Sequence, residues 1–187
     1  MKGPILAAIA AIAAAALSLT GPAHAQDNIE DKIINLPAPA TFTVYGMRDT
    51  PKPRKDASAQ GGQALRIVVP GGSDKPYTIG LISQITKPVK KGDQLVLAFW
   101  GRKVKGDAPT AKVANVQVSL AKAPYSTVFR GEAEVGPEWK LFDVKGAADR
   151  DYAAGEIVAT LHLATGDHTI DIGPVFVLDM GPAPARQ

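Results

Sequence analysis

The stretch Gln94-Leu95-Val96-Leu97-Ala98-Phe99-Trp100-Gly101-Arg102-Lys103-Val104 decides the fold class. Side chains alternate faces along an extended chain. Leu95, Leu97 and Phe99 therefore share one face, and Val96, Ala98, Trp100 and Arg102 take the other. The stretch is bounded by Lys90-Lys91-Gly92-Asp93 and by Lys105-Gly106-Asp107-Ala108-Pro109, both turn-forming clusters. A period of two between such breaks marks a β-strand.

The same rhythm recurs along the chain. It predicts strands over 41–46, 63–69, 77–86, 94–104, 112–121, 126–134, 139–145, 156–164 and 169–178. Val116, Val118 and Leu120 share a face opposed by Asn115, Gln117 and Ser119. Ile157, Ala159, Leu161 and Leu163 are opposed by Thr160 and His162. Ile79, Leu81 and Ile85 are opposed by Gln84. Pro70-Gly71-Gly72-Ser73-Asp74 reads as a turn, and Thr165-Gly166-Asp167 as the close of a hairpin. Residues 49–62, rich in Pro, Lys and Arg, read as a long surface loop. No segment after the leader sustains a 3.6-residue period. The expectation is an all-β protein, an antiparallel β-sandwich.

Composition narrows the function. The 187 residues are 45% hydrophobic and 21% charged, with 18 Gly, 15 Pro and no Cys. The absence of Cys excludes disulfides, thiolate zinc sites and a Cys nucleophile. The formal charge is +3, one unit of it from Lys2, too little to indicate a nucleic-acid partner. Lys2, the apolar run Ile5 to Leu19 and Ala23-His24-Ala25 form a secretory signal peptide over 1–25, cleaved before Gln26. The expected arrangement is one domain over 26–181 and a flexible tail over 182–187. The product is periplasmic or secreted, with no membrane attachment after cleavage.

The faces opposite the apolar sets hold an indole, a guanidinium, an imidazole and amides. If those strands adjoin in one sheet, they form a surface suited to sugars. An apolar pyranose face stacks on an aromatic ring, and amides and imidazole pair with hydroxyls. Trp100 is the candidate platform, and Arg102 the donor to hydroxyls or a uronate. Gln117, His162 and Gln84 are the candidate hydroxyl partners. Tyr77 and Tyr125, each after a Pro, are further candidates at an edge. Glu132 with Glu134, and Asp149 with Asp151, lie in charged, turn-rich contexts and read as solvated. So does the basic group Lys52, Arg54 and Lys55. No H-E-x-x-H or G-x-S-x-G occurs, so no catalytic role is expected.

These residues carry a family resemblance. Val89 through Arg102, Pro137-Glu138-Trp139-Lys140-Leu141-Phe142, Gly62-Gln63-Ala64-Leu65-Arg66-Ile67, and Leu161-His162-Leu163 followed by Ile170-Asp171-Ile172-Gly173-Pro174-Val175 resemble motifs of one family. It is the carbohydrate-binding modules with a galactose-binding-like jelly roll, often attached to bacterial glycoside hydrolases. The resemblance spans about 63–181. It implies a jelly-roll sandwich that binds polysaccharide or oligosaccharide without catalysis, and a structural role for Trp139. Two features depart from the family: these residues show no catalytic motif beside the module, and the N-terminal segment lacks the pattern that often supplies calcium ligands. No cofactor is therefore expected, and a structural calcium has no support. The alternative reading is a structural or protein-interaction module of the cell envelope.

Overall fold

Ten strands form, the long ones where apolar residues alternate. They are β1 (Thr43–Tyr45), β2 (Pro53–Lys55), β3 (Gln63–Val69), β4 (Gly80–Gln84), β5 (Asp93–Lys105), β6 (Ala111–Leu120), β7 (Thr127–Val135), β8 (Lys140–Ala147), β9 (Ile157–His162) and β10 (His168–Pro182). The computed structural model describes residues 28–184. The expected signal peptide and its cleavage site lie outside the described residues, as do the last three residues of the tail.

The strands form two five-stranded antiparallel sheets, ordered β1-β4-β9-β6-β7 and β2-β3-β10-β5-β8. The expected all-β sandwich of the jelly-roll kind is the observed architecture. The inward sets are those that parity selects. Leu97 and Phe99 of β5, Val116 and Val118 of β6, Leu161 of β9 and Leu81 of β4 are each at most 1% exposed, in one continuous core. Burying a side chain of this size stabilises by about 1.5–3 kcal/mol.

Four local expectations differ from the structure. The 49–62 segment is not all loop, because β2 pairs along β3. Three residues led by Pro53 carry no alternation, yet Pro is tolerated as the first residue of an edge strand. Pro76–Thr78 is a 3-10 turn, so the strand expected from residue 77 starts at Gly80. Thr165-Gly166-Asp167 does not close a hairpin: β9 and β10 lie in different sheets, and the segment crosses between them. Finally, β10 continues to Pro182, which pairs with Asp93, while register shifts absorb Gly173-Pro174 and the Met180-Gly181 step.

The segment before β1 closes one side of the sandwich. Ile33 bridges to Leu178 of β10, and Asn35 bridges to Ile85 just past β4. The Asn35 amide donates to Ser83 Oγ and to the Val175 carbonyl, each at 2.8 Å, and accepts from the Val177 N–H at 2.7 Å. One buried amide thus ties the two sheets together.

Candidate functional site

The outward face of the β1-β4-β9-β6-β7 sheet is built in rows set by strand register. One row runs Tyr45, Gly80, His162, Asn115. The next runs Thr43, Ile82, Thr160, Gln117, Arg130. The third runs Gln84, Val158, Ser119 and Thr127. Neighbouring strands lie about 4.8 Å apart, so Ile82 to Arg130 spans roughly 14 Å. A groove of about 570 Å³ lies along these rows.

Local structure shapes it. A register shift between Val113 and Val116 keeps both valines in the core and turns Asn115 outward. Such a bulge re-aims a side chain without breaking the sheet. At Gly80 a Cβ would fall 2.3 Å from the Tyr45 hydroxyl, so only glycine lets that ring lie across the sheet. Tyr77 reaches in from the 3-10 turn and meets the His162 ring edge-on, with centroids 6.4 Å apart. Tyr125 stands at the other rim with φ of 57°, a left-handed conformation rare outside glycine, and is 64% exposed.

The floor is polar. Gln117, Ser119 and Thr160 are 7%, 3% and 5% exposed, and their side chains make no hydrogen bond to the described residues. Among the described residues the polar atoms sealed from water without a partner are Arg54 Nε, Trp100 Nε1 and His168 Nε2, so the Gln117, Ser119 and Thr160 tips keep contact with the groove. Buried polar groups in folded proteins are normally paired. Three open on one groove are a ready set of hydroxyl partners. His162 Nδ1 lies 3.0 Å from the Asn115 amide nitrogen. With that amide donating, the imidazole proton sits on Nε2. Burial pushes the His162 pKa down, which favours the neutral ring. Among the described residues no Asp or Glu lines the groove, and no cluster of three or more His, Asp or Glu converges to hold a metal ion.

The residues singled out in the sequence divide between the two sheets. Gln117 and His162 line the groove, with Tyr77 and Tyr125 at its rims. Gln84 shares that face but is exposed beyond the groove lining. Trp100 and Arg102 belong to β5 in the other sheet, so the single shared face expected for all five does not form. Like parity places residues outward, but a sandwich has two outward faces.

Arg102 is engaged there. Its guanidinium reaches Asp171 at 3.1 Å and Asp56 at 2.8 Å, donates to Ser58, and lies 4.9 Å from the centre of the Trp139 ring. Asp171 is fully buried and also receives Arg54 and Arg66, at 2.7 and 2.8 Å. Arg54 is therefore not a solvated loop charge. Trp100 packs beside Gly173, where a Cβ would fall 3.1 Å from the Trp100 Cβ. Farther along this face Val96, Ala98, Phe176 and Leu178 are buried as well. The expected solvated carboxyls are surface partners: Glu132 of Lys112, Glu134 of Thr110, Asp149 of Tyr152 and Asp151 of Lys90.

Arg130 and Tyr45 were not singled out in the sequence, although alternation against Phe129 and Ala133, and against Val44, is the signal that turns them outward. Their place beside Gln117 and His162 depended on strand order.

Several solved structures have a like fold. A CBM4 carbohydrate-binding module is 17% identical, with a TM-score of 0.58 over 75% of this chain and 96% of that one. The fold is that of the carbohydrate-binding modules. The N-terminal cellulose-binding domain of Cellulomonas fimi β-1,4-glucanase C shares this module fold at 17% identity and TM-score 0.54, over 76% of this chain and 90% of that one. The CBM22-1 xylan-binding domain from Paenibacillus barcinonensis Xyn10C does so at 13% identity and TM-score 0.53, over 81% and 94%. No family model and no curated protein matches the sequence.

Proposed function

We propose that this chain is an exported, non-catalytic carbohydrate-binding module that holds a polysaccharide in the groove over β4, β9, β6 and β7. The observation that carries the reading is the pairing of an unsatisfied polar floor, Gln117, Ser119 and Thr160, with three tyrosines at 45, 77 and 125. Aromatic rings take the apolar faces of sugar rings, and the floor takes their hydroxyls. Glycoside hydrolysis needs two carboxyls about 5–9.5 Å apart across the bond. The described groove lining contains none. The cellulose- and xylan-binding domains of like fold support the substrate class. The signal-peptide reading of 1–25 supports export to the periplasm or the medium.

Affinity electrophoresis of the purified protein against soluble polysaccharides tests this. At least one polymer is expected to retard it. Tyr125→Ala is expected to weaken retardation by about 3–10-fold, since an aromatic contact contributes about 0.5–1.5 kcal/mol beyond its area. Unchanged retardation in a Tyr77→Ala/Tyr125→Ala double variant would remove the groove as the site.

A further inference from the structure

The arginines of the sandwich are not equivalent. Arg54, Arg66 and Arg102 converge on Asp171, and Arg150 holds Glu156 at 2.6 Å. Arg130 is exposed and makes neither a hydrogen bond nor an ion pair with the described residues. The nearest acidic residue on its own strand face, Glu132, is taken by Lys112 at 2.7 Å, and Glu134 accepts from Thr110 at 2.6 Å. Arg130 also sits directly opposite Gln117, in the row that crosses the groove floor. Among its described lining residues the groove thus carries one unpaired cation and no carboxylate to balance it.

Building on the carbohydrate reading, we propose that the groove selects an acidic polysaccharide, with Arg130 as the specificity-determining residue that pairs with a uronate carboxylate. A guanidinium presents parallel N–H donors matched to a planar carboxylate, whereas neutral sugars offer it only hydroxyls. An unpaired Arg opposite Gln117 in a groove without carboxylates among its described lining gains most from a ligand that brings its own negative charge. Gln117, one strand away, then takes a hydroxyl of the same sugar unit, and the tyrosines hold the neighbouring rings. The site reads charge at one position and ring shape at the others.

The experiment compares sodium polygalacturonate, alginate and glucuronoxylan with the carboxyl-reduced form of each, beside neutral glucan and xylan. The native protein and the Arg130→Gln and Arg130→Lys variants are titrated by affinity electrophoresis and calorimetry. At least one acidic polymer is expected to bind on the order of tenfold more tightly than its reduced form, the step for one charge-assisted pair at an open site. Raising the ionic strength from about 0.05 to 0.5 M narrows that gap, because the Debye length falls severalfold. Arg130→Gln closes the gap, and Arg130→Lys keeps part of it. Melting temperatures guard against misfolding and are expected to hold, since Arg130 is exposed and unpaired. Equal binding of acidic and reduced forms, or retardation by neutral polymers alone, overturns this inference and leaves carbohydrate binding standing. An acidic preference that survives Arg130→Gln overturns the residue assignment. Retardation by no polymer removes both readings.

Discussion

Trp100 sits with its indole N–H sealed from water and without an acceptor, against β10 where Gly173 leaves room for the ring. A buried donor left unpaired costs about 1–3 kcal/mol, so the packing of the ring has to outweigh that cost. The tyrosines over the other sheet are placed differently: Tyr77 and Tyr125 are 54% and 64% exposed and contribute little to the core. Trp100→Ala is therefore expected to lower stability by about 2–4 kcal/mol, somewhat under the usual penalty for a fully buried aromatic, while polysaccharide retardation stays unchanged. Thermal melting and affinity gels on the same variant measure both. Lost retardation with an unchanged melting temperature would return the binding site to the β5 face.

The element that gathers most charge is the β2-β3-β10-β5 end of the second sheet. Asp171 of β10 holds Arg54 of β2, Arg66 of β3 and Arg102 of β5, and Asp56 bridges Arg54 and Arg102. Burial alone would raise the Asp171 pKa. Hydrogen bonds from Arg66, Arg102 and Arg54 outweigh it and hold the carboxyl below its ordinary value. A carboxyl depressed in the folded state stabilises the fold above the unfolded value of about 3.9. That stabilisation is lost as pH falls through the folded pKa. Urea unfolding followed from about pH 6 to pH 2 is expected to show stability declining below roughly pH 4. Asp171→Asn is expected to cost about 2–3 kcal/mol at neutral pH, less than for a fully buried pair, because it leaves Arg66 without a carboxylate and Arg54 and Arg102 with Asp56 alone, while all three guanidiniums keep contact with water. It also flattens the acid limb. Parallel pH profiles for the two proteins would show that other carboxyls govern acid unfolding.

Across the whole molecule both sheets feed one core, and Asn35 joins them at the side where the chain enters β1. Its three hydrogen bonds reach Ser83 in one sheet and Val175 and Val177 in the other. Asn35→Ala strands those groups in a buried setting and is expected to cost about 2–4 kcal/mol. For a domain of this size that is a fall of roughly 4–16 °C in melting temperature. Because the core is shared, calorimetry is expected to show one cooperative transition at the lower temperature. Two separated transitions would mean that the sheets unfold independently.

Inward and outward were legible from the sequence because side-chain alternation is a local property of extended chain. Leu95, Leu97 and Phe99 face the core by the same rule that turns Gln117, His162 and Arg130 away from it. The bounds of β5, β6 and β7 were legible to within one residue for the same reason, whereas β10 runs on to Pro182 through register shifts that no alternation marks. The short edge strand Pro53–Lys55 was not, because its backbone pairs with β3 while its side chains keep no rhythm. The tie made by Asn35 was equally hidden, since its partners lie 48 to 142 residues away. Alternation also cannot say which of two outward faces a residue occupies. Trp100 and Gln117 are both outward, yet β5 pairs with β8 and β10 while β6 pairs with β7 and β9. That choice is made by backbone pairing between distant segments and by the shared core. The sequence by itself determined the sandwich and its outward polar residues, and the tertiary pairing decided which of them meet in a groove.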